Sequence, residues 1–286
     1  MSKKSMPNSI AAISASLLLA SAATVHAAGD GSLDRIKQEG SVTVCTSNDV
    51  PYAYKDPNTG EFSGVDVEMV KLIFSKLEIE KVEMYTIEFS GLIPALQSKR
   101  CDLIADNMGI SPARSQQINF SWPMYNAGLV IAVSPGNPKK IMSVENFSGN
   151  TVGAYLGTIQ LEWMKQMAEK DPSITVKAFK GVPEIIAEMR AGRLDAAVTD
   201  GMVLSYMLKT DPTIPLEVVD HQIKQAGGRY AVGAGFRKED DDLRHAFDDA
   251  HRQGQLSGEF NTILAKWGLE PKSFYAPYEN CCVDPK

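Results

Sequence analysis

The stretch from Glu88 to Tyr125, EFSGLIPALQSKRCDLIADNMGISPARSQQINFSWPMY, constrains the fold more than any other part of the chain. Ser90 is placed to cap a short helix carrying Leu92, Ile93 and Leu96, and Lys99-Arg100 end it where cations suit the C-terminal dipole. Asp102 to Ala105 then reads as a buried strand, and Asn107 to Ser111 as a polar turn at its carboxyl end. In an open α/β sheet, that edge is where ligands bind. Arg114 follows three residues past the turn, and a planar fork of N–H donors is the side chain best matched to a carboxylate. A lone arginine is ordinarily a surface charge, so its neighbours have to decide.

Strand and helix alternate along the rest of the chain, which means parallel sheets with helices on both faces. Ser41 to Thr46 is a strand, and the loop from Ser47 to Tyr54 lies at its carboxyl end. Met69, Leu72, Ile73 and Leu77 share one face of a helix. Pro135-Gly-Asn-Pro138 breaks the composition and marks a domain boundary after the strand Ala127 to Val133. A second α/β unit follows, with a helix opened by Gly157-Thr158 and a strand from Asp195 to Thr199. Tyr230 to Phe236, with Gly233 and Gly235 inside it, suits a strand crossing back between lobes.

The N-terminus reads as an address. Lys3 and Lys4 precede an apolar run, Ile10 to Ala20, and Val25-His26-Ala27 is an A-x-A-like cleavage site. The run is too short to span a bilayer. No cysteine follows it where a lipoprotein needs one, so the expected product is a free soluble exported protein. Cleavage after Ala27 takes the formal net charge of −6 to −8, because two lysines and no acid are lost. An acidic chain without a basic run argues against nucleic acid. The cysteines, Cys45, Cys101, Cys281 and Cys282, show no C-x-x-C spacing, and the histidines form no H-x-H or H-E-x-x-H. No metal or cofactor is expected. Cys45 reads as an inert core thiol within its strand, and Cys281 and Cys282 would bond each other only with strain.

EFSGLIPALQSKRCDLI, PAR and NFSWPMY, with GEFSGVDVEMVKLI before them and AGRLDAAVTD and GAGFRKEDDDLRHAFD after, resemble the bacterial extracellular solute-binding proteins of polar amino acid ABC transporters. The pieces stand in the family's order. The resemblance implies a type II periplasmic binding protein: two lobes, each a mostly parallel sheet flanked by helices, with the ligand in the cleft between them. Residues 1–27 are then the signal peptide, 28–132 with 234–286 the first lobe, and 133–233 the second. The expected partners are an amino acid and the permease subunits in the inner membrane, with the receptor a monomer. A tail returning to the first lobe of an exported protein points to a disulfide from Cys281 or Cys282 to Cys101.

The resemblance also assigns roles. Arg114 matches the arginine that clamps the ligand α-carboxylate, and Asp200 the aspartate that takes the α-ammonium, although an Asp before Gly is ordinarily a helix cap. Gly157, Thr158 and Ile159 sit at a helix start, where free N–H groups favour an anion. Phe89 matches an aromatic that packs on the ligand side chain; its plain alternative is core. Asn107 offers an amide contact. Gly109 departs from the hydroxyl residues common there, leaving only backbone groups. Trp122 reads as a pocket or lip residue. Asp49 and Tyr52 lie in a first loop resembling that of ectoine-binding relatives; Asp49 favours a cationic group if desolvated and is a plain loop aspartate if not. An ectoine-type solute is therefore the alternative ligand. An enzyme on the same fold, such as a cyclohexadienyl dehydratase, needs a carboxylic acid over the substrate, and Gly201, Met202 and Val203 fill the space after Asp200.

Overall fold

The computed structural model describes residues 29–219 and 229–267, so the expected signal segment, Cys281 and Cys282 lie outside the described residues. The chain begins with α1 (Ser32–Glu39), β1 (Ser41–Thr46), β2 (Tyr54–Lys55), β3 (Phe62–Ser63), α2 (Val65–Lys76) and β4 (Lys81–Thr86). It continues through α3 (Leu92–Gln97), β5 (Leu103–Ile104), α4 (Pro112–Ser115), β6 (Asn119–Phe120) and the long β7 (Tyr125–Val133). Next come β8 (Thr151–Tyr155), α5 (Ile159–Lys170), β9 (Thr175–Phe179), α6 (Val182–Arg190), β10 (Ala196–Asp200), α7 (Gly201–Thr210) and β11 (Glu217–Val219). The described part closes with β12 (Arg229–Val232), β13 (Gly235–Phe236), α8 (Asp241–Leu256) and α9 (Glu259–Lys266).

Two sheets result. The first runs β4-β1-β5-β13-β6 and the second β11-β7-β10-β8-β9, with β12 on β7. Each has a parallel heart, β4-β1-β5 in one and β10-β8-β9 in the other. The antiparallel strands are β13 and β6 in the first sheet and β7, β11 and β12 in the second. This is the two-lobed type II architecture, with mixed rather than purely parallel sheets. Leu129 to Val133 pair with Asp200 to Ala196, so the division at 132/133 expected from Pro135-Gly-Asn-Pro138 would cut β7. That proline- and glycine-rich turn follows β7 within the second lobe. The chain leaves the first sheet between Phe120 and Tyr125 and returns through Gly233-Ala234.

Helix α8 shows how the first lobe is held. Leu243, Phe247 and Ala250 fall on one buried face, and Asp241 and Asp242 complement the dipole in the first turn. Phe247 meets Phe74 of α2 at 6.0 Å and Phe236 of β13 at 5.3 Å, both edge-on. Each such ring contributes about 1.5–3 kcal/mol by leaving water.

Two local expectations are corrected. Ser90 caps nothing: it lies in a single 3-10 turn, Phe89–Gly91, which runs directly into α3. Cys45 is no free thiol, and Cys101 does not reach for the tail. The two form a disulfide with Cα atoms 5.6 Å apart. β1 and β5 pair in parallel, and Cys101 lies at the corner between α3 and β5, in the same apolar cluster as Cys45, Leu92 and Leu96.

Candidate functional site

The cleft between the lobes has a wall from each. On the first side, the turn after β5 is fixed from below. Buried Asp66, at the start of α2, accepts from the backbone N–H of Asn107 at 2.7 Å and from the Tyr125 hydroxyl at 2.7 Å. This holds Asn107 at φ +49, a left-handed conformation that asparagine tolerates. Ser111 then caps α4, accepting from the backbone N–H of Arg114 at 3.3 Å. Arg114 is 8 % exposed. It donates through Nη1 to the Gly109 carbonyl at 2.6 Å and through Nη2 to the Gly157 carbonyl of the opposite lobe at 3.0 Å. Its guanidinium carbon lies 5.3 Å from the centre of the Phe89 ring. It makes no ion pair with a described residue, and burial pushes its pKa down to about 10. Phe89 lines the cleft and, half-buried, also packs against the core around Leu92 and Leu96.

The second wall is built from helix starts. Thr158 caps α5, its hydroxyl accepting from Leu161 N–H at 3.4 Å. Gly157 stands at φ +81 with its backbone against Ser90: a Cβ there would lie 3.0 Å from the Ser90 Cα. Asp200 ends β10 and caps α7, so the plain reading of it as a cap holds. Its Oδ1 accepts from Met202 and Val203 N–H at 2.9 and 3.1 Å and from the Tyr52 hydroxyl of the other lobe at 3.0 Å. Oδ2 accepts only a 3.4 Å bond from Tyr230 and so retains capacity for a further donor. Burial raises the Asp200 carboxyl above its usual range.

Arg114, Asp200, Phe89, Asn107, Gly109, Thr158, Ile159 and Asp49 line one cavity of about 450 Å3, open mouth included. Tyr52 does not line it. Tyr52 is buried, stacked on Tyr125 at 5.6 Å, and acts on the cleft through Asp200. Trp122 also stays outside; its backbone N–H donates to Asp248 of α8 at 2.8 Å. Tyr155, Gln160 and Tyr230 line the cavity and carry no mark in the sequence. Tyr230 matters most. A Cβ at Gly109 would lie 2.8 Å from its ring, so the missing side chain at 109 is what admits it. Its hydroxyl meets Asn107 Nδ2 at 3.1 Å, while Asn107 Oδ1 is buried without a partner.

Carboxylates crowd the floor. Asp106 accepts from Thr46 at 2.6 Å and from the Ser47 hydroxyl. Burial lifts Asp106 to about 6 and Asp66 to about 7. Asp49 is raised well above the usual range by burial and then by Asp106, Asp200 and Asp66. An acidic floor beneath one guanidinium favours a ligand that brings both a carboxylate and positive charge. Among the described residues no cluster is arranged to hold a metal, and no helix is long and apolar enough to cross a membrane.

The sequence pattern of the bacterial extracellular solute-binding proteins, family 3, matches residues 42–270. A Sinorhizobium fredii protein named "Probable amino-acid ABC transporter periplasmic-binding protein" is 29% identical over 93% of this chain and 89% of its own length. The L-cystine-binding protein of Escherichia coli is 27% identical over 84% of this chain and 87% of its own. A solved ancestral arginine-binding protein bound to arginine superposes with a TM-score of 0.71 at 32% identity, over 80% of this chain and 98% of that one. With the two-lobed fold and the cleft between the lobes, these matches establish that the chain belongs to the bacterial extracellular solute-binding proteins of family 3.

Proposed function

We propose that the protein is the amino acid receptor of an ABC importer, capturing its ligand outside the inner membrane and delivering it to the permease subunits there. One observation carries this reading: a buried arginine without an acidic partner among the described residues shares a cavity with a buried aspartate from the opposite lobe. A buried guanidinium is costly unless an anion meets it, and the α-carboxylate of a zwitterion supplies one. Its ammonium then falls to Asp200 Oδ2 and the orphan Asn107 Oδ1. The N–H groups at the start of α5 add to the carboxylate side, and Phe89 gives the side chain a flat wall. Asp49 favours polar or basic side chains over aliphatic ones. The N-terminal address supports export to the periplasm with cleavage after Ala27.

A receptor is preferred to a dehydratase because the residues after Asp200 carry no acid and instead donate their backbone N–H groups to it. Titration calorimetry tests the reading. Arg114→Ala removes charge-assisted bonds of roughly 1.5–3 kcal/mol each, so affinity for the preferred amino acid should fall by about a hundredfold or more. Binding within threefold of wild type would remove the clamp, and turnover of prephenate or arogenate would overturn the receptor reading.

A further inference from the structure

We propose that the cleft carries a second recognition site, outward of Asp49, for the distal end of a long ligand: a basic amino acid whose side-chain nitrogen bears a carboxylate-containing substituent. The inference rests on the amino acid reading of Arg114 and Asp200 and extends it along the same cleft.

The inner cavity does not end at Asp49. Asp49, Ser47, Phe89, Tyr155 and Val203 line it and also line a larger chamber of about 1320 Å3, open mouth included. Those shared residues form a neck. Beyond it both lobes contribute apolar walls, Ile87 from the first and Val182 and Met207 from the second. Two charges face each other across the chamber, Glu88 from the first lobe and Lys180 from the second, 3.6 Å apart. Neither has another ion-pair partner among the described residues. No described side chain or backbone group bonds to the Asp49 carboxylate, whose surroundings are instead other carboxylates.

From inside outward the cleft therefore presents a cation at Arg114, an anion at Asp200, an anion at the Asp49 neck, an apolar passage, and at the rim the Glu88–Lys180 pair, whose lysine is the one cation there among the described residues. The complementary molecule reads carboxylate, ammonium, cationic nitrogen, methylenes, carboxylate. Plain lysine or arginine ends at Asp49 and leaves the apolar passage in water. A substituent on that nitrogen covers the passage and brings its carboxylate to Lys180. Glu88 and Lys180 are both largely exposed, and exposed pairs are weak, so the exchange of partners is cheap.

Calorimetry on the mature chain should compare L-lysine and L-arginine with saccharopine and argininosuccinate, which add a carboxylate-bearing group to the side-chain nitrogen. The substituted ligands are expected to bind at least tenfold more tightly than their parents, and Lys180→Glu should cut that preference at least tenfold. Parents that bind as tightly as the substituted ligands, or a preference untouched by Lys180→Glu, overturn the outer site and leave the inner clamp standing. Failure of every amino acid to bind overturns the clamp and the outer site together.

Discussion

The two walls of the cleft solve the same problem by different means. The first lobe presents side chains, Arg114, Phe89, Asn107 and Asp49, and props them from behind with the buried carboxylates Asp66 and Asp106. The second presents helix starts, so Thr158 and Asp200 satisfy backbone N–H groups while facing the cavity. The first wall thus concentrates charge that titrates, whereas the second concentrates geometry. On the first wall, the turn that carries Asn107 depends on Asp66 behind it. On the second, a conservative change at a cap alters charge and leaves the helix in place.

Three measurements probe that contrast. The largest effect is expected on the first lobe, which the Cys45–Cys101 disulfide closes across a sequence separation of 56 residues. In the chain-entropy account such a loop contributes roughly 4 kcal/mol. Cys45→Ser with Cys101→Ser should lose about that much in urea unfolding, and reductant should destabilise wild type but not the double variant. Equal sensitivity of both to reductant would remove the staple from the comparison.

Next comes pH. Asp66 at about 7, with Asp106 and Asp248 at about 6, have folded values above the unfolded carboxylate value, all by burial. The folded state therefore binds more protons, and stability rises as pH falls through those values. His251, buried without a partner and depressed to about 4, acts in the opposite direction, losing stability as pH falls below 6.5. Three carboxylates outweigh one imidazole, so stability should rise by about 3 kcal/mol from pH 8 to pH 5. His251→Leu should steepen the rise. A fall over that range in the leucine variant would contradict the carboxylate assignment.

The smallest effect belongs to the second wall. Asparagine caps a helix as well as aspartate does, so Asp200→Asn should leave stability within about 1 kcal/mol while weakening amino acid binding about tenfold or more through the lost charge. Equal affinity in the variant would make Asp200 a cap and nothing else.

Much of this was legible in the sequence because it is local. The strand, turn and arginine from Asp102 to Arg114 announce a ligand edge through turn chemistry, and Asp200 before Gly201 announces a helix start. The misses are contacts between distant segments. Tyr230 enters the site only because Gly109, far away in sequence, lacks a side chain. The Cys45–Cys101 bond joins β1 to the corner before β5, a contact between distant segments that periodicity does not reveal. Ser90 was expected as a cap from its residue type, but the 3-10 turn placed it elsewhere. The composition break at Pro135 marked a turn, while the passage between sheets, Ser121 to Met124, is apolar enough to pass for strand.

The two passages between the sheets run side by side. Ser121 N–H donates to Ala234 O and Met124 N–H to Val232 O, both at 2.8 Å, and β7 continues antiparallel to β12 from Tyr125 to Gly128. Two strands joined in this way make a ribbon, which resists sliding within its plane but twists and bends out of it. The lobes are therefore joined by one paired ribbon rather than by two independent strands. Across the cleft from that ribbon, Gly157 brings its backbone up to Ser90 with no room for a Cβ between them. Any side chain at position 157 would wedge the two walls apart, so the gap between them is set by an absent Cβ.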